Sequence, residues 1–297
     1  MKDYWLTQYL LKMTGIGFLL LCLLAIALAF WLPKTRKGKG IALAVVLVVM
    51  AVPLAQMYER AQVRKAAAAE RQQRYEVAKA HFDERCKTAG EKIFRQVTDV
   101  DRVFLIRPRT EPINYREQYK LDDPYGYAGT GEGYIKLFLR GRPTVPVKVG
   151  DPVDPKNVVS YQFVEVPNPA GNGVIQYTTS MPSHESERIT RNGGGVVPLE
   201  KVTRPARTAR YGIAWADIST HEDRTHWIAG SSQKIVDLER DEVIAERIGF
   251  MFDAHLGDTS GSRAPWSAAR SNACPPLDEK VFYFFDRVLQ PSRELKK

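Results

Sequence analysis

Residues 13–57 read MTGIGFLLLCLLAIALAFWLPKTRKGKGIALAVVLVVMAVPLAQM, two apolar runs on either side of the basic stretch Lys34-Thr35-Arg36-Lys37-Gly38-Lys39. The first run, Met13 to Leu32, carries no charge over 20 residues; the second, Ile41 to Met57, has 17 residues, with Gln56 its one strongly polar side chain. A helix that spans a bilayer needs about 20 apolar residues, within a range of roughly 17 to 25. The stretch therefore reads as a transmembrane helical hairpin over residues 1–57, with spans at about 13–32 and 41–57. A cleaved signal peptide fits less well. The apolar core exceeds the usual length of roughly 7 to 15 residues, and Phe30-Trp31-Leu32-Pro33 is a poor cleavage site.

The charge distribution follows the same division. The formal net charge is +9, but residues 1–57 hold six Lys or Arg against Asp3 and so account for +5, leaving +4 on the other 240 residues. That remainder is modest for a nucleic-acid footprint, and no nucleic-acid partner is expected. Short loops rich in Lys and Arg stay on the cytoplasmic side of a membrane. The basic stretch is then internal, and both termini lie outside. The expected placement is a bacterial inner membrane, with the lipid bilayer as one partner and the soluble part in the periplasm.

From Leu54 to about Val97 the residues are strong helix formers, including the run Ala66 to Ala69, and residues 58–98 read as a long stalk helix. Apolar residues recur at Tyr75, Ala78 and Phe82, then at Ala89, Ile93 and Val97. Leu and Ile are absent between Ala61 and Ala80, which excludes a sustained coiled-coil heptad and favours a spacer.

Residues 99–297 read as an α+β domain with a mostly antiparallel β-rich sheet and a C-terminal helix. Short β-rich runs occur at Val103 to Ile106, Tyr134 to Leu139, Val158 to Val166, Val174 to Thr179, Val196 to Val202, Tyr211 to Ile218 and Ile235 to Leu238. Ile235 to Phe252 reads as a hairpin turning at Glu239-Arg-Asp-Glu, and Leu277 to Leu289 as the terminal helix. The loops 107–133 and 141–157 are long and proline-rich, and loops of that length are commonly functional or disordered.

Chemistry-bearing patterns are few. His221 and His226 are five apart, not the four that would set both on one helix face for zinc, and their surroundings do not read as helical. A looser site with His255 and a carboxylate is the remaining metal alternative, and no metal ligand set is assigned. Gly129-Thr-Gly-Glu-Gly133 precedes an expected strand, and Gly193 to Gly195 opens no helix, so neither has the setting of a phosphate loop. Gly230-Ser231-Ser232-Gln233 lacks the second glycine of a nucleophile elbow. No catalytic residue and no cofactor are expected, and an enzyme is the less favoured class.

Arg204, Arg207, Arg210, Tyr211, Trp215, Arg224, Trp227, Arg263, Trp266 and Arg270 are the residue types that anchor protein interfaces. Within them Arg224, Trp227, Arg263 and Trp266 are the candidate binding residues, the last two in the glycine-serine loop Gly257 to Trp266. Cys86 and Cys274 could form one disulfide joining the start of the domain to its end; two free buried cysteines are the alternative.

Arg210-Tyr-Gly-Ile-Ala-Trp-Ala-Asp-Ile-Ser-Thr-His-Glu-Asp-Arg224, with Trp227-Ile-Ala-Gly230 and Gly261 to Trp266, resembles uncharacterised two-span inner-membrane proteins of proteobacteria, over roughly the last ninety residues. The resemblance implies no activity and no functional residues. The expected function is a membrane-anchored periplasmic domain that binds another protein, either as an immunity protein against a secreted toxin or as a component of an envelope complex. The alternative is a membrane-anchored hydrolase or metal-dependent enzyme using the region of His221 and His226.

Overall fold

The computed structural model describes residues 17, 20, 23–29, 31, 34–108, 118–120, 131–144, 147, 152–191, 196–276 and 284–292. The chain divides into two compact units, residues 1–73 and 74–297. One helix, Arg36–Cys86, runs through the division for 51 residues. At 1.5 Å per residue that is about 75 Å.

Among the described residues no helix is long and apolar enough to cross a membrane. That overturns the transmembrane hairpin, the inner-membrane location and the periplasmic placement read from the sequence. The second apolar run does not stand as a helix of its own. Its helix opens at Arg36, inside the basic stretch, and continues unbroken through Glu59, Arg60, Arg64 and Lys65. Half of the first run, 13–32, lies outside the described residues.

The stalk also ends earlier than expected. The helix stops at Cys86, and Gly90, with φ of 151°, starts a strand. Ala89, Ile93 and Val97 keep a helical spacing, but pairing with the sheet wins over local propensity. Strands β1 (Gly90–Ile93), β2 (Val97–Val100) and β3 (Arg102–Leu105) follow in close succession.

The segment expected as a strand over Tyr134 to Leu139 is a helix, Glu132–Leu139, that buries Tyr134, Ile135, Phe138 and Leu139. Those positions repeat at one and four residues, a helical face that partial alternation in the sequence had concealed. After it come β4 (Arg142–Pro143), β5 (Val158–Val159), β6 (Phe163–Pro167) and β7 (Val174–Thr178), then a helix at Ser183–Arg191 and β8 (Glu200–Arg204). The rest comprises β9 (Tyr211–Asp217), a short helix at His221–Thr225, β10 (Ile228–Asp237), β11 (Glu242–Phe252), a short helix at Pro265–Ala269, β12 (Ala273–Cys274), a helix at Phe284–Val288 and β13 (Leu289–Pro291). Residues 277–283 of the expected terminal helix lie outside the described residues.

The main sheet has nine strands in the order β1-β11-β10-β9-β3-β6-β7-β8, with β12 also paired to β11. It is mixed, with antiparallel pairs in the majority: β3 runs parallel to both β6 and β9, and the other six pairs of the sheet are antiparallel. Strands joined without helices were expected to be antiparallel. Here the return from β3 to β6 passes through the buried helix Glu132–Leu139, which lets them run the same way. The expected hairpin forms as β10 and β11, in register from Ile228↔Phe252 to Asp237↔Glu242, and Asp241 takes the positive φ of its turn.

The two faces of this sheet bury different partners. Ile228 packs with Phe250 and Phe252 against Ala78 and Phe82 of the long helix. Its neighbour Ala229 is equally buried but packs with Met251 against Trp266 and Ala269. A larger cluster joins Val103, Leu105, Val164, Ile213 and Ile235 to Phe138 and to Phe284, Phe285 and Val288. Each large side chain so buried contributes about 1.5–3 kcal/mol. Cys86 and Cys274 are disulfide-bonded with Cα atoms 5.6 Å apart, tying the end of the long helix to β12.

Candidate functional site

The helix at His221–Thr225 is set by its first turn. Thr220 Oγ1 accepts from the Asp223 amide at 3.1 Å, and the Asp223 carboxylate accepts from the Thr220 amide at 2.7 Å, a reciprocal capping box. The helix then closes through Trp227, whose φ of 57° turns the chain into β10. Trp227 lies against Gly257, where a Cβ would come within 1.9 Å of the indole; at φ of 84° the position also favours glycine.

The four candidate binding residues do converge. The Trp227 and Trp266 ring centroids are 5.5 Å apart, and the Arg224 guanidinium sits 5.1 Å from the Trp266 ring while pairing with Asp217. Arg263 forks onto the buried Asp253, with Nη1 to Oδ2 at 2.9 Å. Asp253 in turn donates its amide to the Trp227 carbonyl at 3.0 Å. Yet Arg224 and Trp266 are buried, Trp266 to 1 % exposure. Pro265 opens a short helix that swings Trp266 inward out of the glycine-serine loop. The cluster braces the Gly257–Trp266 loop against β10 and β11 and leaves little of itself to a partner.

Beside it is a junction that crosses 142 residues of sequence. His81 Nε2 lies 2.8 Å from Asp223 Oδ1, and Arg85 Nη2 donates to Asp223 Oδ2 at 2.8 Å. Burial pushes the Asp223 carboxyl upward, but the Thr220 amide, His81, the Thr220 hydroxyl and Arg85 together hold it below the usual range. The ring of His226 lies 5.2 Å from that of His81, and His221 stacks on Tyr119 at 5.3 Å. His255 sits elsewhere, its amide bonded to Asp253. Among the described residues no group of three or more His, Cys, Asp or Glu side chains is placed to hold a metal ion. His81 had no signal in the sequence beyond being a histidine in a helix.

Facing the Trp266 side of the sheet is a row of side chains set by register alone: Glu91 on β1, Arg247 on β11, Gln233 on β10 and Trp215 on β9 are successive cross-strand partners. Arg247 pairs with Glu91, which also holds Arg287. Gln233 is 1 % exposed, and among the described residues neither atom of its amide has a hydrogen-bond partner; Arg247 Nη2 is likewise without one among them.

At the opposite end of the sheet lies β8. All five of its side chains are exposed, and among the described residues its one strand neighbour is β7, in register from Val174↔Arg204 to Thr178↔Glu200. Pro198 and Pro205 bound it. The chain that follows is fixed by the fully buried Glu165, whose carboxylate accepts from the Thr208 and Ala209 amides, both at 2.9 Å. Arg204 Nε reaches Gln176 at 3.3 Å. The glycine run Gly193 to Gly195 lies outside the described residues, as do Gly129 and Thr130; Gly131 to Gly133 open the helix Glu132–Leu139, not a strand.

No family model, no curated protein and no solved structure matches this chain.

Proposed function

We propose that residues 74–297 form a protein-binding module that takes an extended segment of a partner by strand addition along the outer edge of β8. The observation that carries this reading is the edge itself. It is a five-residue strand at the end of a nine-stranded sheet, with backbone groups turned outward and every side chain exposed. Strand addition draws affinity from main-chain hydrogen bonds and specificity from alternate side chains. Edges that are only to be protected are covered, bent, shortened, charged or flanked by proline; β8 has the charges Glu200, Lys201 and Arg204 and the flanking Pro198 and Pro205, which make its pairing selective for a partner of matching charge. The chain after β8 is anchored through the Thr208 and Ala209 amides to Glu165, and among the described residues no strand pairs with the outer edge of β8. The residues expected to bind, Arg224, Trp227, Arg263 and Trp266, serve instead to hold the scaffold. The hydrolase alternative gains no geometry, because His221 and His226 engage Tyr119 and His81 respectively.

The test places a photo-reactive side chain at Lys201 or Thr203 in the full chain, with the exposed turn residue Glu239 as control. Adducts from 201 and 203 that map to one extended segment, and none from 239, are expected. Equal labelling from all three positions would refute recognition at β8.

A further inference from the structure

We infer that the segment which adds to β8 is β8 of a second copy of this chain, running antiparallel about Val202; this rests on the strand-addition reading above. The strand reads Glu200-Lys201-Val202-Thr203-Arg204. Centred on Val202, antiparallel pairing sets Glu200 opposite Arg204 of the copy, Arg204 opposite Glu200, Lys201 opposite Thr203, and Val202 against itself. Both Glu–Arg pairs and the Val202 pair fall on one face, because alternate side chains point the same way. Opposite charges directly across a strand pair stabilise it, and like charges destabilise it.

Neighbouring registers lack this match. A shift of two residues one way sets Lys201 against Lys201 of the copy. A shift the other way carries Glu200 past the end of the strand and loses both charge pairs. The prolines at 198 and 205 limit the open edge on both copies to the same short stretch, since proline donates nothing to a ladder. Val202, 49 % exposed in the single chain, would be covered by its own equivalent. The result is an isologous two-fold interface. A contact of five residues a side is small, and interfaces below about 1,200 Å² are characteristic of weak, reversible association.

The decisive experiment is a charge swap in the full chain, read by sedimentation over a concentration series. The wild type is expected to move toward twice the 33.6 kDa chain mass as concentration rises. Glu200→Arg alone and Arg204→Glu alone should each weaken association by about tenfold, and the double substitution should restore it. In a second arm, Val202→Cys in a Cys22→Ala background should give a disulfide-linked dimer on mild oxidation, because directly opposed residues lie about 4.5–5.5 Å apart. Single swaps without effect, or a double swap that stays monomeric, would overturn the second copy as occupant. A chain that sediments as one copy while the 201 and 203 adducts map to a different protein would also overturn it, yet leave strand addition at β8 standing. Adducts from neither position would remove both readings.

Discussion

Arg142 and Asp286, 144 residues apart in sequence, meet as a buried fork in which Nη2 donates to Oδ1 at 2.7 Å and Nε donates to Oδ2. The same guanidinium donates to the Leu137 carbonyl and lies 5.5 Å from the rings of both Tyr161 and Phe285. It thereby ties the helix at Phe284–Val288 to the helix at Glu132–Leu139. Burial raises the Asp286 carboxyl above its ordinary range even though Arg142 pulls it down. Removing one partner strands a buried charge, whereas removing both does not. Arg142→Met alone should cost about 3–5 kcal/mol in chemical denaturation, and Arg142→Met with Asp286→Leu should recover most of it. A double variant as unstable as the single would show that the pair itself, and not the stranded charge, carries the effect.

Asp237 gives a prediction in pH. It ends β10, fully buried, and accepts from Arg210 at 2.9 and 3.1 Å and from Arg95 at 2.6 Å. Hydrogen bonding from Arg210, against the opposing cost of burial, lowers its carboxyl to about 2. A carboxyl held below its unfolded value of about 3.9 adds stability above that pH and loses it as the pH falls through the folded value. Asp237→Asn should therefore melt several degrees below wild type at pH 7. The gap should hold down to about pH 5 and shrink between pH 4 and pH 2. A gap that stays constant across that window would rule out the linkage.

Removing the Cys86–Cys274 bridge, which spans 188 residues, should destabilise the chain. The chain-entropy estimate for so long a loop is about 5 kcal/mol, and losses on removing native bridges usually fall at about 2–5 kcal/mol. Cys86→Ala with Cys274→Ala should unfold at lower denaturant than wild type, and reductant should lower wild type to match it. An unchanged midpoint in both would mean that packing of Phe82 and Ala78 against Phe250 and Phe252 holds the helix end without help.

Gln233 offers the reverse sign. A buried amide with no hydrogen-bond partner among the described residues bears an uncompensated desolvation cost of about 1–3 kcal/mol. Gln233→Leu should raise the thermal midpoint. A fall in the midpoint would mean that the amide is satisfied in solution and the row from Glu91 to Trp215 is a working polar network.

The sequence announced local features and missed distant ones. The β10–β11 hairpin was legible because β-branched runs flank a charged turn, and both signals lie within eighteen residues of one another. Tyr134 to Leu139 was not, because six residues of aromatic and aliphatic side chains satisfy a two-residue period almost as well as a helical one. Trp266 read as exposed from its glycine-serine setting; only the fold shows the turn at Pro265 that buries it. His81 and Asp223 carry no local pattern at all, since their pairing depends on where a long helix ends against a sheet. The apolar run at Ile41 to Met57 was read by itself, whereas it belongs to a helix three times its length.

The far side of β11 has a further meaning. Its outer neighbours are β1, four residues opposite Ala245 to Ile248, and β12, two residues opposite Phe250 and Met251, contributed by opposite ends of the second unit's sequence. Among the described residues that margin is pieced together from short fragments, the longer of them four residues. The two borders are therefore unlike among the described residues: β8 is one unbroken five-residue strand, whereas the other border passes from β1 to β12 within the length of β11. A pairing of β8 with β8 of a second copy would use the same border of both molecules and so would close at two, without enlisting the patchwork at the other.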